Sequence, residues 1–148
     1  MTIKLYGDPG SGSLRRVTTA AAIMGVNIER VNIDLFKRES HTPEFLSLNP
    51  HGITPVLQDG DTVIWEASAI NLYLAGKTDS GLAGRTQAEK REVLQWMFWS
   101  GEQWRIYSTL LFNEWAGETF TGQPKTDAVV RLAMTALRSA AEVLDRHL

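Results

Sequence analysis

The chain has 148 residues, 43% of them hydrophobic and 22% charged, with a formal net charge of −2. That balance is ordinary for a globular protein and leaves no basic excess for nucleic acid and no charge block for a membrane surface. Cysteine is absent, which excludes disulfides, thiolate metal sites and every redox mechanism that runs on a protein thiol.

Ile3-Lys4-Leu5-Tyr6 alternates as a first strand and stops at Gly7-Asp8-Pro9-Gly10. Because Met1 leads straight into that strand and no apolar run is long enough to span a bilayer, a cytoplasmic location is expected, with no membrane partner. Leu14 to Met24 is Ala-rich and predicts a helix closed by Gly25. Ile28 to Leu35 predicts a second strand, parallel to the first across a right-handed crossover. Thr42 and Pro43 predict the N-cap and first turn of a short helix to Leu48. Val56-Leu57-Gln58 and Thr62-Val63-Ile64-Trp65 flank Asp59-Gly60-Asp61, where Asp-Gly predicts a hairpin with both turn residues at positive φ. A helix from Glu66 to Leu74 follows.

Thr78 to Arg85 has the composition of a linker, and beyond it the pattern is wholly helical. Thr86 and Glu89 form a capping box opening a long helix with an inward seam of Val93, Met97, Gly101, Trp104, Leu111 and Trp115. After a break at Gly117 to Lys125, a last helix from Thr126 carries a seam of Val130, Ala133, Leu137, Ala141, Leu144 and Leu148. The fold class is therefore α/β plus all-α, with a βαβ-ββα mixed sheet in residues 1–78, a linker at 79–85 and a helical region at 86–148.

The loop from Asp8 to Ser13 joins a strand end to a helix start, a place where backbone N–H groups converge and favour an anion. A Ser11 hydroxyl there suits hydrogen bonding to a thiolate, which lowers a thiol's pKa, while plain turn and N-cap duty for Ser11 and Ser13 is the alternative.

Asn49-Pro50-His51-Gly52-Ile53-Thr54-Pro55-Val56-Leu57, the hairpin, and then Glu66-Ala67-Ser68-Ala69-Ile70 together closely resemble the N-terminal domain of the cytosolic glutathione S-transferases. The resemblance implies a thioredoxin-like fold, followed by a truncated helical domain of that family's type, and glutathione as co-substrate. Ser11 stands six residues before Val17, with Arg16 between, as in the bacterial Ser-type, theta- or nu-like members. By that resemblance Ser11 is the thiol-activating hydroxyl and Ser13 the second candidate. Thr54, before Pro55, matches the residue whose main chain takes the cysteinyl part of glutathione. Glu66 matches the carboxylate that takes the γ-glutamyl ammonium.

Two positions depart from the family's pattern. Ala67 lacks the family's Ser hydroxyl, with Ser68 lying about 100° further round a helix, and Ile53 stands where a Lys or Gln often faces the glycine carboxylate. Both imply weakened glutathione binding. The loop histidines His41 and His51 are further candidates for that carboxylate. Three scattered histidines without cysteine give no zinc pattern, so no metal is expected.

Among the aromatics of the long helix, Trp104 and Tyr107 are the candidates for a hydrophobic substrate pocket. The implied reaction is conjugation of the glutathione thiolate to a hydrophobic electrophile by a homodimer. The alternatives are a catalytically weak module working through protein partners and a glutathione-dependent disulfide reductase or peroxidase. Family members usually carry further helices beyond the position of Leu148, so a short form completed by dimerisation and an incomplete chain are both expected readings.

Overall fold

The computed structural model describes residues 2–148, which fall into two compact units, the first reaching to Lys90 and the second running from Arg91 to Leu148. In the first, β1 (Ile3–Gly7), α1 (Gly12–Ile23) and β2 (Ile28–Asn32) form the parallel βαβ unit. α2 (Pro43–Leu48) leads to β3 (Val56–Asp59), β4 (Thr62–Trp65) and α3 (Ala67–Gly76), and the sheet order is β2-β1-β3-β4. Leu5 and Leu57 are cross-strand partners with no exposed surface, and Leu14, Val17 and Ala21 of α1 and Ile70 and Leu74 of α3 close over them. This one apolar layer holds both helices on the same face of the sheet.

The local signals behave as their chemistry predicts. Thr42 caps α2, its Oγ1 accepting from the Phe45 N–H at 3.3 Å, and Pro43 sits in the first turn. Gly25 takes a φ of 69° just after α1. β2 ends at Asn32, short of the predicted Leu35, because side chains take over the backbone there. The Asp34 N–H donates to Glu39 at 2.7 Å and Asp34 Oδ1 accepts from the Lys37 N–H at 3.1 Å, which turns the chain.

The hairpin also differs from the prediction. Asp59 pairs with Thr62, so the two-residue turn is Gly60-Asp61 and only Gly60 takes a positive φ, of 61°. Asp59 stays in the strand. Its carboxylate accepts from the Tyr73 hydroxyl at 2.8 Å and from Lys77, fastening the hairpin to α3. Hydrogen bonds from Lys77 and then Tyr73 hold that carboxyl below its usual range, and the same contact raises the Lys77 ammonium above its own.

α4 (Gln87–Trp99) begins with the predicted capping box: the Glu89 N–H donates to Thr86 Oγ1 at 3.2 Å, and Glu89 Oε2 accepts from the N–H groups of Thr86 and Arg85 at 2.9 and 2.6 Å. In the second unit a π-helical turn at Ser100–Arg105 leads into α5 (Ile106–Ala116), another follows at Gly117–Thr121, and α6 (Asp127–Asp145) closes the unit. A π turn inserts an extra residue into the helical ladder and rotates everything after it. That rotation breaks the predicted long seam: Val93 and Met97 are half-buried, but Gly101, Trp104 and Trp115 are exposed. In α6 the seam runs through Val130, Ala133, Leu137, Ala140 and Leu144, with Ala140 replacing Ala141 and Leu148 exposed. Among the described residues no helix is long and apolar enough to cross a membrane.

Candidate active site

One row across the sheet assembles the site. Tyr6, Val56 and Trp65 are successive cross-strand partners in β1, β3 and β4. The loop to α1 leaves β1 one residue beyond Tyr6, Thr54-Pro55 enters β3 directly before Val56, and Glu66 leaves β4 directly after Trp65. Because β1 and β3 are antiparallel, all three segments come to the same end of the sheet.

In the first of these segments the loop is shaped by Asp8, whose Oδ1 accepts from the Gly10 N–H at 2.7 Å and whose carbonyl accepts from the Ser11 N–H at 2.9 Å. Those two N–H groups are thereby used within the loop rather than offered to an anion, a correction to the convergence expected from the sequence. Ser11 occupies the N-cap position of α1 with φ −70° and ψ 125°, yet its side chain makes no capping hydrogen bond. Its half-exposed hydroxyl is not committed to the helix end. Ser13 is different: it is the second residue of α1, in its first turn, and only 4% exposed. Tyr6 donates its phenol proton to Gln58 Oε1 at 2.8 Å and serves the sheet.

The second segment is braced by Asn49, a residue whose role the sequence did not reveal. It is 2% exposed, its Nδ2 donates to the Ile53 carbonyl at 2.8 Å, and its Oδ1 accepts from the His51 N–H at 3.1 Å. An Asn directly after a helix and before a Pro is the signal for such a brace. Thr54 is buried and its bond to Pro55 is cis. Ile53 is 54% exposed. His41 lies beside this loop: a Cβ added at Gly52, whose φ is 64°, would stand 3.1 Å from His41 Nε2. His41 Nδ1 is 3.1 Å from the Ser40 hydroxyl, whereas His51 sets its ring edge against Trp65 at a centroid distance of 5.6 Å.

In the third segment Glu66 adopts φ 72° and ψ 117° at the N-cap of α3, and its exposed side chain makes no capping bond. A non-glycine residue at such a φ is uncommon and concentrates at functional sites. Ala67 is 3% exposed and belongs to the core layer. Ser68 is half-buried, and its Oγ accepts from Arg16 Nη2 at 3.4 Å, so α1 sends a guanidinium to the first turn of α3. Arg16 is the second residue of the site whose part the sequence left unread.

Trp104 and Tyr107 lie in the second unit, in the first π turn and in α5. The Trp104 ring packs on Trp99 at 6.1 Å, and Tyr107 is half-buried. Among the described residues no group of three or more His, Cys, Asp or Glu side chains is placed to hold a metal.

Residues 1–76 match the family model described as glutathione S-transferase, N-terminal domain. Glutathione S-transferase 3 of Zea mays is 33% identical over 99% of this chain and 67% of its own length. Glutathione S-transferase F10 of Arabidopsis thaliana is 41% identical over 66% of this chain, which spans 46% of that relative. The structure of the maize glutathione S-transferase I in complex with an atrazine glutathione conjugate superposes with a TM-score of 0.87 at 30% identity, over the whole chain and 70% of that one. These relatives are plant proteins of the phi class, and the theta- or nu-like bacterial placement expected from the Ser11 spacing is not supported. On the family match and the identity to the maize protein together, the chain belongs to the glutathione S-transferase family.

Proposed function

We propose that this chain is a glutathione transferase in which Ser11 stabilises the glutathione thiolate for attack on an electrophilic carbon of an apolar substrate. The observation that carries the reading is the Ser11 hydroxyl, accessible at the helix mouth and free of capping duty. A serine used only for its local conformation would satisfy a first-turn N–H. Ser13, buried in the first turn of α1, is the second candidate.

Glutathione is held along the row end: its cysteinyl amide by the main chain of Thr54 before Pro55, its γ-glutamyl ammonium by Glu66, and its carboxylate there by the N-terminal turn of α3 at Ala67 and Ser68. His41 and Ile53 border the glycyl end. In the reaction the thiol proton leaves to water, the Ser11 O–H donates to the sulfur, the C–S bond forms and the leaving group departs with its electron pair. Raising the thiolate fraction and holding both reactants together supply the rate gain. Residues 1–78 are the glutathione-binding domain, 79–85 the linker and 86–148 the helical domain, in which Trp104 and Tyr107 are the candidates for the hydrophobic substrate. Exposed Phe98, Phe112 and Phe120, at 66%, 58% and 58%, support self-association of the helical domain into a homodimer.

The test is conjugation of glutathione to an activated haloarene by the purified chain, beside a disulfide and a peroxide. Turnover of the haloarene that disappears in Ser11→Ala supports the reading. Turnover of the disulfide or peroxide alone would move it to a reductase, and no turnover of any by a folded, glutathione-binding chain would leave only a binding module.

A further inference from the structure

The segment between β2 and α2 sets a buried hydroxyl beside an exposed imidazole, both in the 3-10 turn Glu39–His41. Ser40 is 2% exposed, and its Oγ lies 3.1 Å from His41 Nδ1. Among the described residues this is the only hydrogen bond of the Ser40 side chain. A hydroxyl shut away from water must place its proton on an acceptor, because a buried donor left unpaired costs more than a made bond contributes. His41 Nδ1 is therefore the acceptor, and in a neutral imidazole the ring proton then sits on Nε2. That nitrogen is turned toward Gly52, where a Cβ would stand 3.1 Å away. Gly52 takes a φ of 64° and has no side chain to cover the N–H. Thr54, the proposed main-chain anchor, follows two residues on.

We propose that Ser40 is a positioning residue that holds His41 as its Nε2–H tautomer, so that an uncharged, directed donor meets the C-terminal carboxylate of the bound peptide. The inference rests on the proposed glutathione reading, in which the glycyl end is bordered by Ile53 and His41. It makes a narrower claim: Ser40 favours ligands that carry the glycyl residue, and it does so through the ring proton of His41. A serine that merely packs the turn would support all ligands alike and leave the tautomer unset.

Two measurements test it together. NMR of the imidazole nitrogens, at a pH where histidine side chains are neutral, reads the tautomer, with His41→Phe to assign the signals. Wild type is expected to carry the His41 proton on Nε2 alone, and Ser40→Ala to mix the two forms. Calorimetry then compares glutathione with γ-glutamylcysteine, which lacks only the glycyl residue. Ser40→Ala is expected to weaken glutathione about two- to tenfold, as loss of one net hydrogen bond does, and γ-glutamylcysteine less than about twofold. His41→Phe, which removes the donor outright, weakens glutathione further with the same selectivity. A wild-type His41 protonated at Nδ1 overturns the proposal, and so does equal weakening of both ligands by Ser40→Ala, or of neither. If Ser40→Ala does not fold, the wild-type tautomer and His41→Phe decide. A proton on Nε2 with a loss confined to glutathione supports the proposal, and any other result overturns it. A folded wild type that binds no glutathione overturns the transferase reading itself, whereas a wild type that binds with Ser40→Ala unchanged overturns this inference alone.

Discussion

Replacing Ser11 by Ala separates a thiol-activating serine from a helix-capping one, because the two roles predict opposite patterns of stability and chemistry. A capping serine contributes about 1 kcal/mol to its helix. Ser11 makes no capping bond, so the folded state loses almost nothing and the melting temperature stays within about a degree or two of wild type. The chemistry, by contrast, loses a hydrogen bond to an ion, worth roughly 1.5–3 kcal/mol. One pH unit of thiol titration corresponds to about 1.4 kcal/mol. The midpoint for bound glutathione should therefore move up by about one to two pH units, and at any pH below the wild-type midpoint the thiolate fraction should fall roughly ten- to a hundredfold. The assay follows the ultraviolet absorbance of the thiolate against pH at saturating glutathione, with thermal unfolding in the same buffers. Ser13→Ala is the control: its buried site predicts lost stability with an unmoved titration. A Ser11→Ala protein that melts lower and titrates like wild type would refute the assignment and return Ser11 to a structural role.

Ala67→Ser places a hydroxyl where only 3% of the residue is exposed, so the ligand-free protein should lose about 1–3 kcal/mol of stability. Glutathione should recover part of that loss and bind tighter; no gain in affinity would show that the position does not face the ligand. Glu66→Gly relieves the φ of 72° and should stabilise the fold by about 1 kcal/mol while weakening glutathione, seen as a higher melting temperature with a higher KM. A lower melting temperature would mean that the backbone there is not strained. Backbone N–H bonds from Thr86 and then Arg85 hold the Glu89 carboxyl below its ordinary value of 4.5. A lowered folded pKa gives stability that is present above 4.5 and is lost as pH falls through the folded value. Acid unfolding of wild type should therefore steepen below that point, and Glu89→Gln should flatten it; identical acid limbs would contradict the capping box.

Most of the first unit is legible in the chain because its signals are local. Thr42-Pro43, Gly25 and the Thr86–Glu89 pair each fix a few backbone groups through their own side chains, and each is found as written. The misplaced turn has a cause that is not local: Asp59-Gly60 is a strong hairpin signal, but Tyr73 and Lys77, well along the chain, hold Asp59 in the strand. Helix seams fail for a different reason. Periodicity assumes an unbroken α ladder, and the π turn at Ser100–Arg105 shifts every later residue of the predicted stripe. The candidate site divides in the same way. Ser11, Thr54 and Glu66 stand in recognisable short motifs, and the register of one sheet row places their segments together. Arg16 acts across 52 positions of sequence to Ser68, a partner that no linear pattern shows, whereas Asn49 braces His51 and Ile53 close by in the chain, where its place between a helix and a Pro is the signal.

The most direct test of the account is a calorimetric titration of the intact 148-residue chain with glutathione. Saturable binding is expected, with a dissociation constant of about a millimolar or tighter, equivalent to roughly 4 kcal/mol or more. A folded chain that takes up no glutathione would contradict it.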